Sequence, residues 1–220
     1  MIKRYRWFSL KFPFSHEFLI RIMAGEPISP ENKKGFQITY SDDGEIKFKF
    51  FWQTKIIAKT MSFDGEESSE EIYTLESQDC LLKKSGEKYI LRLDNPGRSL
   101  RELFNSLEDI SGMGFYVKPL YLSDETVSHI KSKIDICKTV GVKISGGIDG
   151  NEVVARVDLA SKKGIKIDEI SILSGMKYKT ESASYELILK GEKGNFSYTS
   201  SGLVKLSGKL APMVLFLIEE

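Results

Sequence analysis

One run of alternating residues, EIKFKFFWQTKIIAK at Glu45–Lys59, limits how this chain can fold. Hydrophobic side chains at every second position are typical of a β-strand, because successive side chains of a strand point to opposite faces. One face carries Ile46, Phe48, Phe50, Trp52, Thr54 and Ile56, and the other carries Lys47, Lys49, Phe51, Gln53, Lys55, Ile57 and Lys59. The run predicts a strand with one face in a core and a basic face toward solvent. We expect the N-terminal half of the chain to be organised around it.

The remaining pattern predicts an α+β fold with mostly short antiparallel strands and hairpins and about three helices. Turn sequences separate the strands, as at Asp43-Gly44, where Asp-Gly favours a tight hairpin turn. Helical periodicity predicts helices at residues 16–24, 100–110 and 124–137. Ser15 and Ser123 precede two of these helices as N-caps, and Ser99 with Glu102 predicts a capping box at the third.

Several other segments receive a specific prediction. Residues 2–12 predict a strand at a sheet edge or beside a groove, because neither face is cleanly apolar. The acidic stretch Asp64–Glu71 predicts an exposed loop, and Met213–Ile218 predicts a closing strand. Ile167–Ser174 fits a short helix or a strand. Hairpins are expected at Val140–Leu159 around Asp149-Gly150-Asn151, and at Tyr185–Thr199.

A chain of 220 residues can form one large domain or two small ones. The pattern favours a β-rich N-terminal lobe at residues 1–122 and an α+β C-terminal lobe at residues 123–220. No Pro/Gly-rich linker marks the boundary between Leu122 and Ser123, so one continuous domain stays an open alternative.

Composition favours a soluble cytoplasmic protein. Cys80 and Cys137 are too few for a disulfide framework, which fits a reducing compartment. The N-terminus lacks the apolar run of a signal peptide, and the most apolar segment, Pro212–Ile218, is too short to cross a bilayer. No membrane association is therefore expected. Common catalytic, nucleotide and metal motifs are absent, so no catalytic residue, cofactor or resident metal is predicted.

The favoured function is binding of single-stranded nucleic acid by the basic and aromatic strands. Lysines neutralise phosphates and aromatic rings stack on bases in proteins that bind single strands. The candidate side chains are Lys47, Lys49, Phe51, Lys55, Trp7, Lys3 and Lys11. An ordinary solvated sheet face explains the same pattern, because lysine is common on exposed strands.

The first alternative is a protein-interaction subunit, an adaptor or inhibitor that uses an acidic loop or an exposed strand edge. The segment at residues 61–82 contains seven acidic residues and no basic one. Its candidate contact residues are Asp64, Glu66, Glu67, Glu70 and Glu71. A solvated loop that protects an edge strand is the plain structural explanation.

The second alternative is a metal-dependent nuclease, which needs clustered acids and often a lysine near the attacking water. Glu45 and Lys47 have the Glu-x-Lys spacing, with Asp42 and Asp43 in the preceding turn. A second loose acidic group contains Asp149, Glu152 and Asp158. Just before it, Gly146-Gly147 fits either a backbone nest for an anion or a flexible hairpin tip.

Overall fold

The computed structural model describes residues 1–148, 153–166, 169–170, 173 and 177–219. These residues form four helices and eleven strands, which confirms the predicted α+β class. The helices are α1 (His16–Gly25), α2 (Arg101–Ser111), α3 (Asp124–Ser132) and α4 (Ala211–Glu219). The strands are β1 (Lys3–Lys11), β2 (Lys34–Ser41), β3 (Glu45–Met61), β4 (Glu67–Ser85), β5 (Lys88–Asp94), β6 (Tyr116–Leu120), β7 (Ile136–Ile148), β8 (Val153–Ala160), β9 (Lys177–Leu189), β10 (Glu192–Thr199) and β11 (Val204–Gly208).

The chain divides into two compact units. The N-terminal unit is Trp7–Lys118, and the C-terminal unit joins Met1–Arg6 to Pro119–Glu220. The division falls close to residue 122, where the sequence suggests a boundary, but the first six residues belong to the C-terminal unit. Whether each lobe is an independent domain stays a prediction.

The N-terminal unit is built on the strand order β2-β3-β4-β5-β1. The even-numbered face of β3 lies in the core from Ile46 to Phe50, whose ring centroid is 5.1 Å from that of Phe36, but Ile56 on the same face is 49% exposed. Leu19 from α1 and Leu103 from α2 belong to the same cluster of buried residues. The two helices therefore help to cover the face that the alternation predicts to be apolar.

The hairpin between β2 and β3 forms where the Asp-Gly sequence predicts it. The Asp42 carboxylate accepts hydrogen bonds from the backbone amides of Gly44 (2.9 Å) and Glu45 (2.7 Å). The Tyr40 hydroxyl donates a third hydrogen bond to the same carboxylate, at 2.7 Å. The turn is thus held by side chain-to-backbone bonds that Asp makes readily.

The C-terminal unit has the strand order β1-β11-β10-β9-β7-β8, in which only the start of β1 takes part. The expected hairpins are confirmed by the antiparallel registers of β7 with β8 and of β9 with β10. The turn at Asp149-Gly150-Asn151 and most of Ile167–Ser174 lie outside the described residues. Val142 and Ile144 of β7 belong to the apolar core of this unit.

The prediction that the first strand lies at a sheet edge is wrong. β1 is hydrogen-bonded to β5, β11 and β6, so it has neighbours on both sides. Tyr5, Trp7, Phe8 and Leu10 are all buried, although they point alternately to the two faces of the strand. The basic residues that make the strand look two-sided are confined mainly to its ends.

The prediction of an exposed acidic loop at Asp64–Glu71 is confirmed only for Asp64–Glu66 and is wrong for the rest. Glu67–Glu71 is the start of β4, and it pairs in register with β3 from Met61↔Glu67 to Ile57↔Glu71. Only the turn at residues 62–66 separates the two strands. Backbone pairing with β3 outweighs the low intrinsic strand preference of glutamate.

One strand prediction and two helix predictions need correction. The closing segment is the helix α4 and not a strand, because a short apolar run without clear periodicity fits both structures. Helix α3 ends at Ser132, well before Cys137, since β7 begins at Ile136. The capping box does not form: the N-cap of α2 is Leu100, which makes no side-chain cap hydrogen bond.

Candidate interaction surfaces

The hairpin of β3 and β4 extends far beyond the sheet that carries it. Its register runs without interruption from Glu45↔Lys83 to Met61↔Glu67. Strand β2 pairs with β3 only as far as Trp52, and β5 pairs with β4 only as far as Asp79. Residues 53–75 therefore form a two-stranded projection, which we call the β-arm.

The β-arm exposes an unusual amount of apolar surface. Seven of the eighteen large exposed hydrophobic residues in the described part of the chain lie on it: Ile56, Ile57, Met61, Phe63, Ile72, Tyr73 and Leu75. A contiguous exposed apolar surface on a soluble protein commonly marks an interaction site. A two-stranded hairpin also gains little stability by itself in water.

The apolar residues are arranged by the register of the hairpin. Ile56 and Ile72 lie directly opposite each other on one face. On the other face Tyr73 is opposite Lys55, and Ile57 is opposite Glu71, which makes Tyr73 and Ile57 diagonal neighbours. Leu75 continues this second face two residues from Tyr73. This diagonal row is the more continuous apolar surface of the two.

Carboxylates surround these apolar side chains. Asp64, Glu66, Glu67, Glu70 and Glu71 lie on the β-arm with only two basic residues, Lys55 and Lys59. Lys55 forms an ion pair with Glu71, 2.5 Å away across the strands. The five acidic candidates from the sequence are therefore brought together with the apolar residues on one hairpin, Asp64 and Glu66 in its turn and Glu67, Glu70 and Glu71 on β4.

The predicted nucleic-acid face is charge-balanced in the structure. The ammonium group of Lys47 lies 2.9 Å from a Glu45 carboxylate oxygen. The ammonium group of Lys49 lies 3.3 Å from a carboxylate oxygen of Asp79, the residue directly opposite it on β4. Phe51, between these lysines and Lys55, is half-buried. Neighbouring carboxylates thus offset the positive charge that would attract phosphates.

The other predicted nucleic-acid contacts are not gathered on that face. Trp7 is only 6% exposed, so its ring is not available to stack on a base. Lys3 and Lys11 are exposed, but they lie at opposite ends of β1 and in different compact units. The prediction of nucleic-acid binding by this set of residues stays a prediction.

The nuclease candidates are engaged in local structure. Glu45 is paired with Lys47, and the Asp42 carboxylate is occupied by the turn. The Tyr40 hydroxyl and the amide of Gly44 hold the pKa of Asp42 below its ordinary value, because they stabilise the carboxylate. Within the described residues, no group of three or more His, Cys, Asp or Glu is placed to hold a metal ion. Asp149 and Glu152 lie outside them.

Sequence reasoning missed the exposed residues Ile57, Tyr73 and Leu75 as candidates. Ile57 lies in the alternating run Glu45–Lys59, and Tyr73 and Leu75 lie in the strand-like stretch Ile72–Leu75, but neither pattern indicates that the two strands pair beyond the sheet. No known family model matches the chain, and no curated protein matches it. None of the helices in the described ranges is long and apolar enough to span a membrane.

Proposed function

We propose that this protein is a cytoplasmic interaction subunit that binds a partner protein through the β-arm. The observation that carries the proposal is the exposed row of Ile57, Tyr73 and Leu75, which are 58%, 53% and 60% exposed. A cytoplasmic location fits the two free cysteines, Cys80 and Cys137.

The partner that fits the β-arm has an apolar groove bordered by lysine or arginine. The row of Ile57, Tyr73 and Leu75 fills the groove, and each side chain contributes about 1 kcal/mol as its exposed half is buried. Glu67, which lies on the same face of β4 as Tyr73 and Leu75, meets the basic border. Such complementary charge speeds association and fixes orientation more than it raises affinity.

The edges of the β-arm offer a second kind of contact. Beyond Gln53 on β3 and before Asp79 on β4, backbone groups face outward with no strand of the described chain beside them. A partner strand that pairs there adds backbone hydrogen bonds to the side-chain contacts. The combination supports binding of an extended segment of the partner along the arm.

The test is site-specific photo-crosslinking in cells, with a crosslinking residue in place of Tyr73. The matched control places it at Tyr121, which is 56% exposed and lies outside the β-arm. We expect one discrete protein to be captured from Tyr73 and not from Tyr121, and to remain after nuclease treatment. The triple variant Ile57→Ser, Tyr73→Ser and Leu75→Ser should lose this partner, and Glu67→Lys should weaken its binding.

Two results contradict the proposal. The same capture from Tyr73 and Tyr121, or a partner retained by the triple serine variant, shows that the β-arm does not provide the contact. A crosslinked product of twice the chain mass of 24.9 kDa shows self-association in place of a separate partner.

A further inference from the structure

On one face of the sheet formed by β7, β8 and β9, cationic side chains of β8 and β9 flank a serine of β7 that is only 6% exposed. Arg156 of β8 is paired with Ser145 of β7, and Ser145 is paired with Lys179 of β9. Directly paired residues of antiparallel strands share one face. The three side chains therefore lie side by side, with the short serine in the middle.

The next row on the same face continues this arrangement. Gly147 lies between Val154 of β8 and Lys177 of β9. The middle strand thus has a serine and a glycine where its neighbours have long side chains, which leaves a hollow of about 470 Å³. Gly146-Gly147 is part of β7 and not a hairpin tip, so that interpretation of the sequence is wrong.

The hollow has an excess of positive charge. Arg156, Lys177 and Lys179 line it, and Glu181 is the acidic residue among the lining side chains. The Arg156 Nε lies 3.9 Å from a Glu181 carboxylate oxygen, a loose contact beside an arginine side chain that is 80% exposed. This differs from Lys47, Lys49 and Lys55 of β3, each of which has a carboxylate within 3.3 Å.

Hydroxyl groups extend the same face away from the cations. Ser182 is paired with Lys143, and Ser184 is paired with both Gly141 and Ser197. Serine hydroxyls, lysine and arginine are the side chains that most often contact the phosphates of nucleic acids. Tyr178 also lines the hollow, but it is paired with Gly146, so its side chain leaves β9 on the opposite face.

We infer that this face, lined by Arg156, Lys177, Lys179 and Ser145, binds the phosphate backbone of a nucleic-acid strand. Lys177 and Lys179 are two residues apart on β9, about 6.7 Å along the strand, which suits contact with successive phosphates. Binding is independent of sequence, because phosphates supply the contacts and no ring on this face stacks on a base. The site is separate from the β-arm.

The test is a fluorescence-anisotropy titration of the full chain with a labelled single-stranded oligonucleotide at 50 and 200 mM salt. Three phosphate contacts on a single strand give a slope of log affinity against log salt of about −2, or about a 16-fold loss of affinity over this range. The triple variant Arg156→Gln, Lys177→Gln and Lys179→Gln should lose most of the affinity and flatten the slope. The matched control Lys47→Gln, Lys49→Gln and Lys55→Gln should retain both.

A gain of affinity provides a check that does not depend on loss of binding. Glu181→Gln removes the carboxylate beside Arg156, so it should tighten binding and steepen the slope. Circular dichroism confirms that each variant is folded. Absence of binding at 50 mM salt, an unchanged affinity in the Arg156/Lys177/Lys179 variant, or an equal loss in the control overturns the inference. Inorganic phosphate that displaces the oligonucleotide with an equal dissociation constant also overturns it, because the site would then bind a small anion as well as a nucleic-acid strand.

Discussion

Excision of the β-arm separates its role from that of the sheet that carries it. Residues 55–73 can be replaced by Asn-Gly, because Thr54 and Thr74 face each other in the register. The amide of the preceding residue, Gln53, donates to the Lys33 carbonyl oxygen on the β2 side, and backbone groups of successive strand residues point to opposite sides. Thr54 and Thr74 are therefore a hydrogen-bonded pair of the antiparallel ladder. Asn-Gly is the preferred two-residue connection for such a pair of strands.

The excision should leave the free energy of unfolding almost unchanged. Every excised residue is exposed except Ala58, which is half-buried. Changes that touch no buried group usually alter the free energy of unfolding by less than about 1 kcal/mol. The dependence of that free energy on urea concentration should fall by less than about 10%, because little surface that unfolding exposes is removed. By contrast, Phe50→Ala empties a fully buried site near the base of the arm and should cost about 3–5 kcal/mol.

Urea unfolding followed by tryptophan fluorescence measures both variants. Trp7 and Trp52 are the two tryptophans of the chain, and both belong to the N-terminal unit, so the signal reports on that unit. A loss of more than about 2 kcal/mol on excision would refute the reasoning, because it would mean that the arm contributes to the core. Partner capture should disappear in the excised variant while it persists in a folded variant of the cation row on β8 and β9.

Two further predictions concern the turn between β2 and β3. The His16 Nε2 must donate to the Asp42 carbonyl oxygen 2.7 Å away, so Nδ1 accepts from the Tyr89 hydroxyl at 3.3 Å. Tyr89→Phe leaves this buried nitrogen without a donor and should cost about 1–2 kcal/mol in urea unfolding, and no change would contradict the pairing. The Tyr40 hydroxyl is the main cause of the lowered pKa of Asp42. The ionised Asp42 carboxylate therefore stabilises the folded chain fully above pH 3.8, its ordinary pKa. This contribution is lost as the pH falls through the folded-state pKa. An NMR titration of Tyr40→Phe should show the Asp42 midpoint closer to 3.8, and an unshifted midpoint would count against the hydrogen bond.

Local signals were sufficient for much of the fold. The Asp-Gly turn at Asp43-Gly44 and the alternation of β3 predicted their hairpin, because turn geometry and side-chain period are properties of neighbouring residues. Ser15 and Ser123 cap their helices as expected, with Oγ accepting from Phe18 and Thr126 amides. These elements need no distant partner to define where they begin.

Distant pairing explains what the sequence did not predict. Glu67–Glu71 forms a strand because β3 is long enough to pair with it. The alternating pattern of β3 predicts the length of that strand but not which segment pairs with its far end. The same pairing brings Asp79 to Lys49 and Glu71 to Lys55, which balances a face that looked basic in sequence. The row of Arg156, Ser145 and Lys179 likewise depends on the registers of three strands.

The division of β1 between two units affects how the chain can fold during synthesis. The N-terminal unit is continuous, Trp7–Lys118, so all its strands have left the ribosome by the time residue 118 emerges. The C-terminal unit must instead wait for Val204–Leu206, which pair with Lys3–Tyr5 about 200 residues earlier. Closing so long a loop is slow relative to local pairing. The first six residues therefore stay unpaired with β11 until Leu206 has emerged, a period in which a chaperone or the partner itself can reach them.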